Sequence, residues 1–178
     1  MLLQVSDIDF AAEFDHKPVV LSQVQTQNGD QFVRTRQNQA SVDGFSLSLE
    51  EEEALKNSGH ATETVGWLAI EAGKGDWGEL NYQAGHTGRR VDHRPAKINF
   101  SQEFNEQPSL FASVASFYGG DAVGLRYQNI SSTQAEILLE EDQSWDSEIG
   151  HTEEIVDFLA IAGSGDLIAT VYESAQLI

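Results

Sequence analysis

The chain has no cysteine, which excludes disulfide bridges, thiol nucleophiles and Cys-based zinc sites. Positive charge is scarce: 10 Lys and Arg stand against 29 Asp and Glu, a formal charge of −19. Nucleic acid is therefore not expected as a partner, because binding it requires a basic surface that displaces counterions from phosphate. The same charge argues against an anionic membrane surface. Long apolar runs are also missing, and none approaches the roughly 20 residues that span a bilayer, so membrane insertion is not expected. Met1-Leu2-Leu3 leads at once into Gln4, Ser6 and Asp7 rather than into the apolar stretch of a signal peptide. The expectation is a segment of something longer. Finally, no stretch sustains a 3.6-residue apolar period; Leu49 to Gly59 has room for one helical turn at most.

What is present is a duplication. LSLEEEEALKNSGHATETVGWLAI, 47–70, returns as LLEEDQSWDSEIGHTEEIVDFLAI, 138–161. Each copy joins an apolar segment, an acidic cluster, a polar loop, a His-x-x-Glu and a second apolar segment. The likeness extends further: DIDFAAEFDHKPVVLSQV matches KINFSQEFNEQPSLFASV at an offset of 90 residues. Proline precedes a strand-like run in both, where a missing N–H costs no ladder bond. Asn28-Gly29-Asp30 and Gly119-Gly120-Asp121 mark turns. Phe45-Ser46-Leu47-Ser48-Leu49 alternates as a half-buried strand does. Thr64 to Ile70 and Ile155 to Ile161 are apolar on both faces and read as central strands. Each half then turns at Gly-x-Gly-Asp into a last strand, Trp77 to Gln83 and Leu167 to Glu173. Short strands at 8–12-residue spacing indicate an antiparallel sandwich. The expected organisation is all-β, with two tandem β-sandwich repeats of about six strands, 1–86 and 97–178. A solvated linker, 87–96, joins them, and its Arg89, Arg90 and Arg94 neutralise nearby acidic loops. The opening strands, Ile8 to Phe14 and Ile98 to Phe104, could pair with either sandwich.

The acidic loops carry the metal candidates: Glu51, Glu52, His60 and Glu63 in the first half, Glu141, Asp142, His151 and Glu154 in the second. Carboxylates on a loop suit calcium, and His with carboxylates suits zinc or manganese. On a strand, residues three apart point to opposite faces, so His60 and Glu63 share a site only where the chain bends. The alternative is that these side chains cap loop backbone. Trp67 and Phe158 read as core, and Trp145 as exposed. No Gly-x-Ser-x-Gly, His-Glu-x-x-His or P-loop is present, and the acids lie in runs rather than facing one another across a cleft. An enzyme is not expected.

The succession of PVVLSQVQTQNGDQFVRTRQN, GFSLSLE and VGWLAI, repeated as PSLFASVASFYGGDAVGLRYQN, AEILLEE and VDFLAI, resembles an H-type lectin domain and the lectin-like repeats of secreted bacterial proteins. The resemblance implies six-stranded sandwiches, often trimeric homo-oligomers, that bind galactose-type sugars. It places ligand contacts at Asp30 and Asp121 and at Arg36 and Arg126, and Tyr118 or Tyr127 could stack on a ring. Arg36 aligns with Tyr127 rather than Arg126 in the internal match. The leading expectation is a carbohydrate-binding, extracellular or cell-surface module of a larger bacterial protein. The rival is a structural or adhesin module held by calcium, with no sugar site.

Overall fold

The alternating run GFSLSLEE forms the central strand of a sheet, β4 (Gly44–Glu51). On one side lies β1 (Leu2–Asp9), with Ile8 opposite Phe45; on the other lies β3 (Val33–Asn38), with Gln37 opposite Leu47. The computed structural model describes residues 2–55, 59–165 and 175–177. Facing this sheet, β5 (Glu63–Glu71) pairs with β2 (Pro18–Val24) and with β13 (Ala175–Leu177). Phe45, Leu47 and Leu49 meet Val20 and Val65 between the two sheets, with Trp67 set edge-on against Phe45. Trp67 is core, as its pattern indicated.

The second lobe repeats the plan. One sheet is β10 (Val123–Gln128), β11 (Gln134–Glu141) and β8 (Ala96–Asn99). The other contains β9 (Ser109–Val114), β12 (Val156–Ala162), β7 (Leu80–His86) and β6 (Gly73–Trp77). Ile98, Val123, Ile137, Leu139, Val156 and Phe158 lie in the core between them. Every pairing is antiparallel, and the only helical piece among the described residues is a 3₁₀ turn at Glu53–Leu55. The all-β expectation holds. The duplication extends to backbone detail: Gln39 and Asn129, 90 residues apart, both take left-handed φ values, 53° and 50°.

Several local expectations change. GKGDW is strand β6 rather than a turn; the turn falls at Gly78, whose φ of 65° suits glycine. Leu167 to Glu173 lie outside the described residues. β4 is buried along its whole length, not half. Its polar alternates have partners: Ser46 donates to Asp7 and Ser48 to the Arg36 carbonyl. Of the two apolar strands, β12 is covered throughout save partly at Ile161, but β5 leaves Leu68 exposed. The difference is lateral: β12 sits inside a four-stranded sheet, β5 inside a three-stranded one.

The sequence repeat and the spatial lobes do not coincide. Hairpin β6–β7, from the end of the first repeat, pairs with β12 of the second lobe, with Phe158 opposite Gly85. β13, from the end of the chain, pairs with β5 of the first lobe. The opening strands β1 and β8 stay with their own halves, so the exchange falls at the closing strands. Val19, Ile70, Ala84 and Leu159 form a third apolar cluster that joins the lobes.

The seam is also polar. β2 ends its sheet, and an uncovered strand edge exposes unpaired N–H and C=O groups. Here the Val20 N–H donates to Asp157 Oδ2 at 2.9 Å and the Ser22 N–H to Ser113 Oγ at 3.2 Å. Gln37 Nε2 donates to the Val20 carbonyl at 2.6 Å and Thr35 Oγ1 to the Ser22 carbonyl at 3.0 Å. Residues 87–96 are part of this body rather than a solvated linker. Val91 is fully buried and bridges to Glu154, and the Leu139 N–H donates to the Asp92 carbonyl.

Candidate functional site

The His-x-x-Glu units sit where the loop after each acidic cluster enters β5 or its counterpart β12. The chain bends between the two residues, so both face the same Gly-Asp turn. Glu63 Oε1 accepts the Asn28 N–H at 2.8 Å and the Gly29 N–H at 3.2 Å, and Oε2 accepts the Thr26 hydroxyl. Glu154 does the same one repeat later. Its Oε1 accepts the Tyr118 and Gly119 N–H groups, each at 2.8 Å, and its Oε2 the Ser116 hydroxyl. Each histidine ring packs closely against the glycine of its turn. A Cβ on Gly29 would come within 2.7 Å of His60, and one on Gly119 within 2.3 Å of His151. Only glycine leaves room for the ring. The duplicated motif is a loop clamp.

This accounts for four metal candidates in another way. The carboxylates of Glu63 and Glu154 are occupied by N–H and O–H donors. The His60 ring nitrogens face the carbonyls of Ala61 and Gln31, and those of His151 face Glu141 and Glu154. Asp142 accepts from Arg34 at 2.7 Å and from the Ser144 N–H at 2.8 Å; Glu52 accepts the Phe32 N–H. Glu51 is buried and engaged.

The two clamps differ in charge. Arg36, on β3, is 1% exposed and reaches across to the second lobe. Its guanidinium donates to Glu154 Oε1 at 2.9 Å, Glu50 Oε2 at 3.2 Å and the Ser116 carbonyl at 2.8 Å, and lies over the Phe117 ring. Burial acts to raise the Glu154 pKa, but His151, the Gly119 N–H, Ser116 and Arg36 outweigh it and hold the carboxyl at about 2. Burial raises Glu50 despite Arg36. His151 is lowered by burial but raised overall by Glu154 and Glu141.

The residues assigned to sugar are engaged within the protein or lie on different lobes. Arg36 is enclosed, with every side of its guanidinium engaged. Arg126 is exposed and forms a two-bond pair with Glu140 across β10 and β11, both bonds at 2.7 Å. Tyr118 lies under Arg89, 4.2 Å from ring centre to guanidinium. Asp30 and Asp121 occupy equivalent turns of different lobes. Trp145 is exposed, as expected, in the second acidic loop.

Sequence reasoning missed Glu53, which reaches the second lobe, where its Oε1 accepts the Ala122 N–H at 3.3 Å. It also missed Asp157, fully buried between Val20 and His86. A signal for Asp157 was available: an acid inside an otherwise apolar strand needs a buried partner.

An open groove of about 510 Å³ runs along the seam, lined by Gln23, Trp67, Leu68, Phe111, Ser113 and Tyr127 among others.

No protein-family model matches the chain, and no solved structure matches it. Among curated proteins it is similar to halomucin of the archaeon Haloquadratum walsbyi, 32% identical over 158 residues and 87% of this chain. The chain spans about 2% of the length of that relative. An archaeal relative lends no support to the bacterial origin expected above.

Proposed function

We propose that the chain is a non-catalytic structural module of a much longer extracellular or cell-surface protein. One observation carries this reading: both His-x-x-Glu units, the residues that most resemble a site, are turned inward to fasten loops. Similarity to a short stretch of halomucin supports the setting. The −19 charge suits it too, since it keeps such a chain soluble where salt screens repulsion.

Carbohydrate binding is the second reading, favoured by the seam groove. Leu68, Phe111 and Tyr127 are 48%, 52% and 39% exposed there beside Gln23 and Ser113. Aromatic faces suit the C–H face of a sugar, and the polar side chains suit its hydroxyls. Galactose-type ligands and trimers belong to this second reading. A glycan array separates the two. The structural reading expects no glycan to be retained by the wild-type chain. Retention that is lost in Phe111→Ala and Tyr127→Ala, and kept in Arg126→Ala, would replace it with the sugar-binding one.

A further inference from the structure

At one end of the seam, acids gather from three separate elements. Glu53 arrives on the 3₁₀ turn after β4, where its Oε1 accepts the Ala122 N–H. Asp121 precedes Ala122 on the Gly-Gly-Asp turn. Glu141 ends β11, directly opposite Val123. One oxygen from each carboxylate lies within 4.8 Å of the others, the one such group of three among the described residues.

We propose that Glu53, Asp121 and Glu141 form a site for a hard divalent cation of the calcium type, joining the acidic run of one lobe to the turn of the other. An independent observation points to a ligand. The Glu141 side chain is 2% exposed; its Oε2 is held by His151 Nδ1 at 2.9 Å, while its Oε1 is enclosed and has no hydrogen-bond partner. A buried carboxylate oxygen without a donor is costly, and a cation satisfies it.

Charge agrees with geometry. Burial raises the Glu141 pKa, Asp121 and Glu53 push it up further, and His151 opposes them. Three acids supply oxygen ligands only, which selects calcium over zinc. Three carboxylates also leave coordination positions for water, and Asp121 is the least enclosed of them. Glu141 also borders a cleft of about 420 Å³ lined by Arg34, Glu140 and Asp142 among others. Of the eight acidic-loop candidates, Glu141 alone belongs to this group.

The inference goes beyond the structural-module reading and does not depend on the glycan result. The test is calorimetric titration of the full chain with calcium chloride after dialysis against EDTA. One saturable site is expected, with affinity reduced about tenfold or more in Asp121→Asn and Glu141→Gln. The exposed loop variants Asp146→Asn and Glu148→Gln should bind as the wild type does. Absence of a saturable site overturns the proposal, as does equal loss in the loop variants. Should Glu141→Gln fail to fold, Asp121→Asn decides alone. If a proton holds the cluster instead, the wild type binds no calcium and Glu141→Gln melts higher than wild type, which also overturns it.

Discussion

Replacing Arg36 with methionine should destabilise the protein by about 3–5 kcal/mol, because removing one partner of a buried ion pair strands the other charge. Arg36 joins two fully buried carboxylates, and because Glu154 keeps its bonds from His151, Gly119 and Ser116, the charge stranded is chiefly that of Glu50. In a chain of 178 residues that corresponds to a Tm about 10 °C lower. The loss should depend on pH, with a sign set by Glu50. Burial already raises its pKa, and Arg36 is the largest influence lowering it. Without Arg36 the carboxyl takes up a proton more readily, so the variant suffers less in mild acid than at pH 8. Thermal melts at pH 5 and pH 8 test this. Adding Glu50→Gln to Arg36→Met should restore part of the loss, since a neutral replacement strands no charge there. Equal melting of wild type and Arg36→Met would mean that the seam does not depend on this ion pair.

Glu154→Gln should cost on the order of 3 kcal/mol at neutral pH, the equivalent of a carboxyl held at about 2 instead of its ordinary 4.5. Because the folded-state pKa is depressed, this contribution is complete above pH 4.5 and is lost as pH falls towards about 2. The stability gap between wild type and variant should therefore close over that window, as read by urea unfolding at several pH values. Glu63→Gln is the internal control. It removes the equivalent bonds, from the Thr26 hydroxyl and two backbone N–H groups, but no arginine, so its cost should be smaller. A larger loss from Glu63→Gln would contradict the assignment of Arg36 to the second clamp.

Much of the fold was legible because period-two patterning and turn residues are local signals. Phe45, Leu47 and Leu49 point to one core, and the Gly-Asp turns fall between strands as expected. The 90-residue repeat was visible in the residues themselves. The closing strands were not, because β7 pairs with β12 on grounds that no single repeat contains. The apolar contacts of Ala84 and Leu159 become meaningful only when both lobes are in place. The same holds for the site. His60 and Glu63 were recognised as a unit, but their target, Gly29 and its neighbours, lies more than 30 residues away. The alignment of Arg36 with Tyr127 was a sequence sign that the halves had diverged. Burial of Arg36 between them explains that divergence, since one cation serves carboxylates of both lobes. Glu53 was indistinguishable from Glu51 and Glu52 within its run, and only the approach of the second lobe separates it.

The central claim is that strand exchange, the shared apolar cluster and Arg36 make the two repeats one body. Differential scanning calorimetry of the full chain tests it most directly. One transition is predicted, with calorimetric and van't Hoff enthalpies equal, as expected when no intermediate is populated. Two separate transitions, with Arg36→Met lowering only one of them, would show that the repeats unfold independently and would contradict the claim.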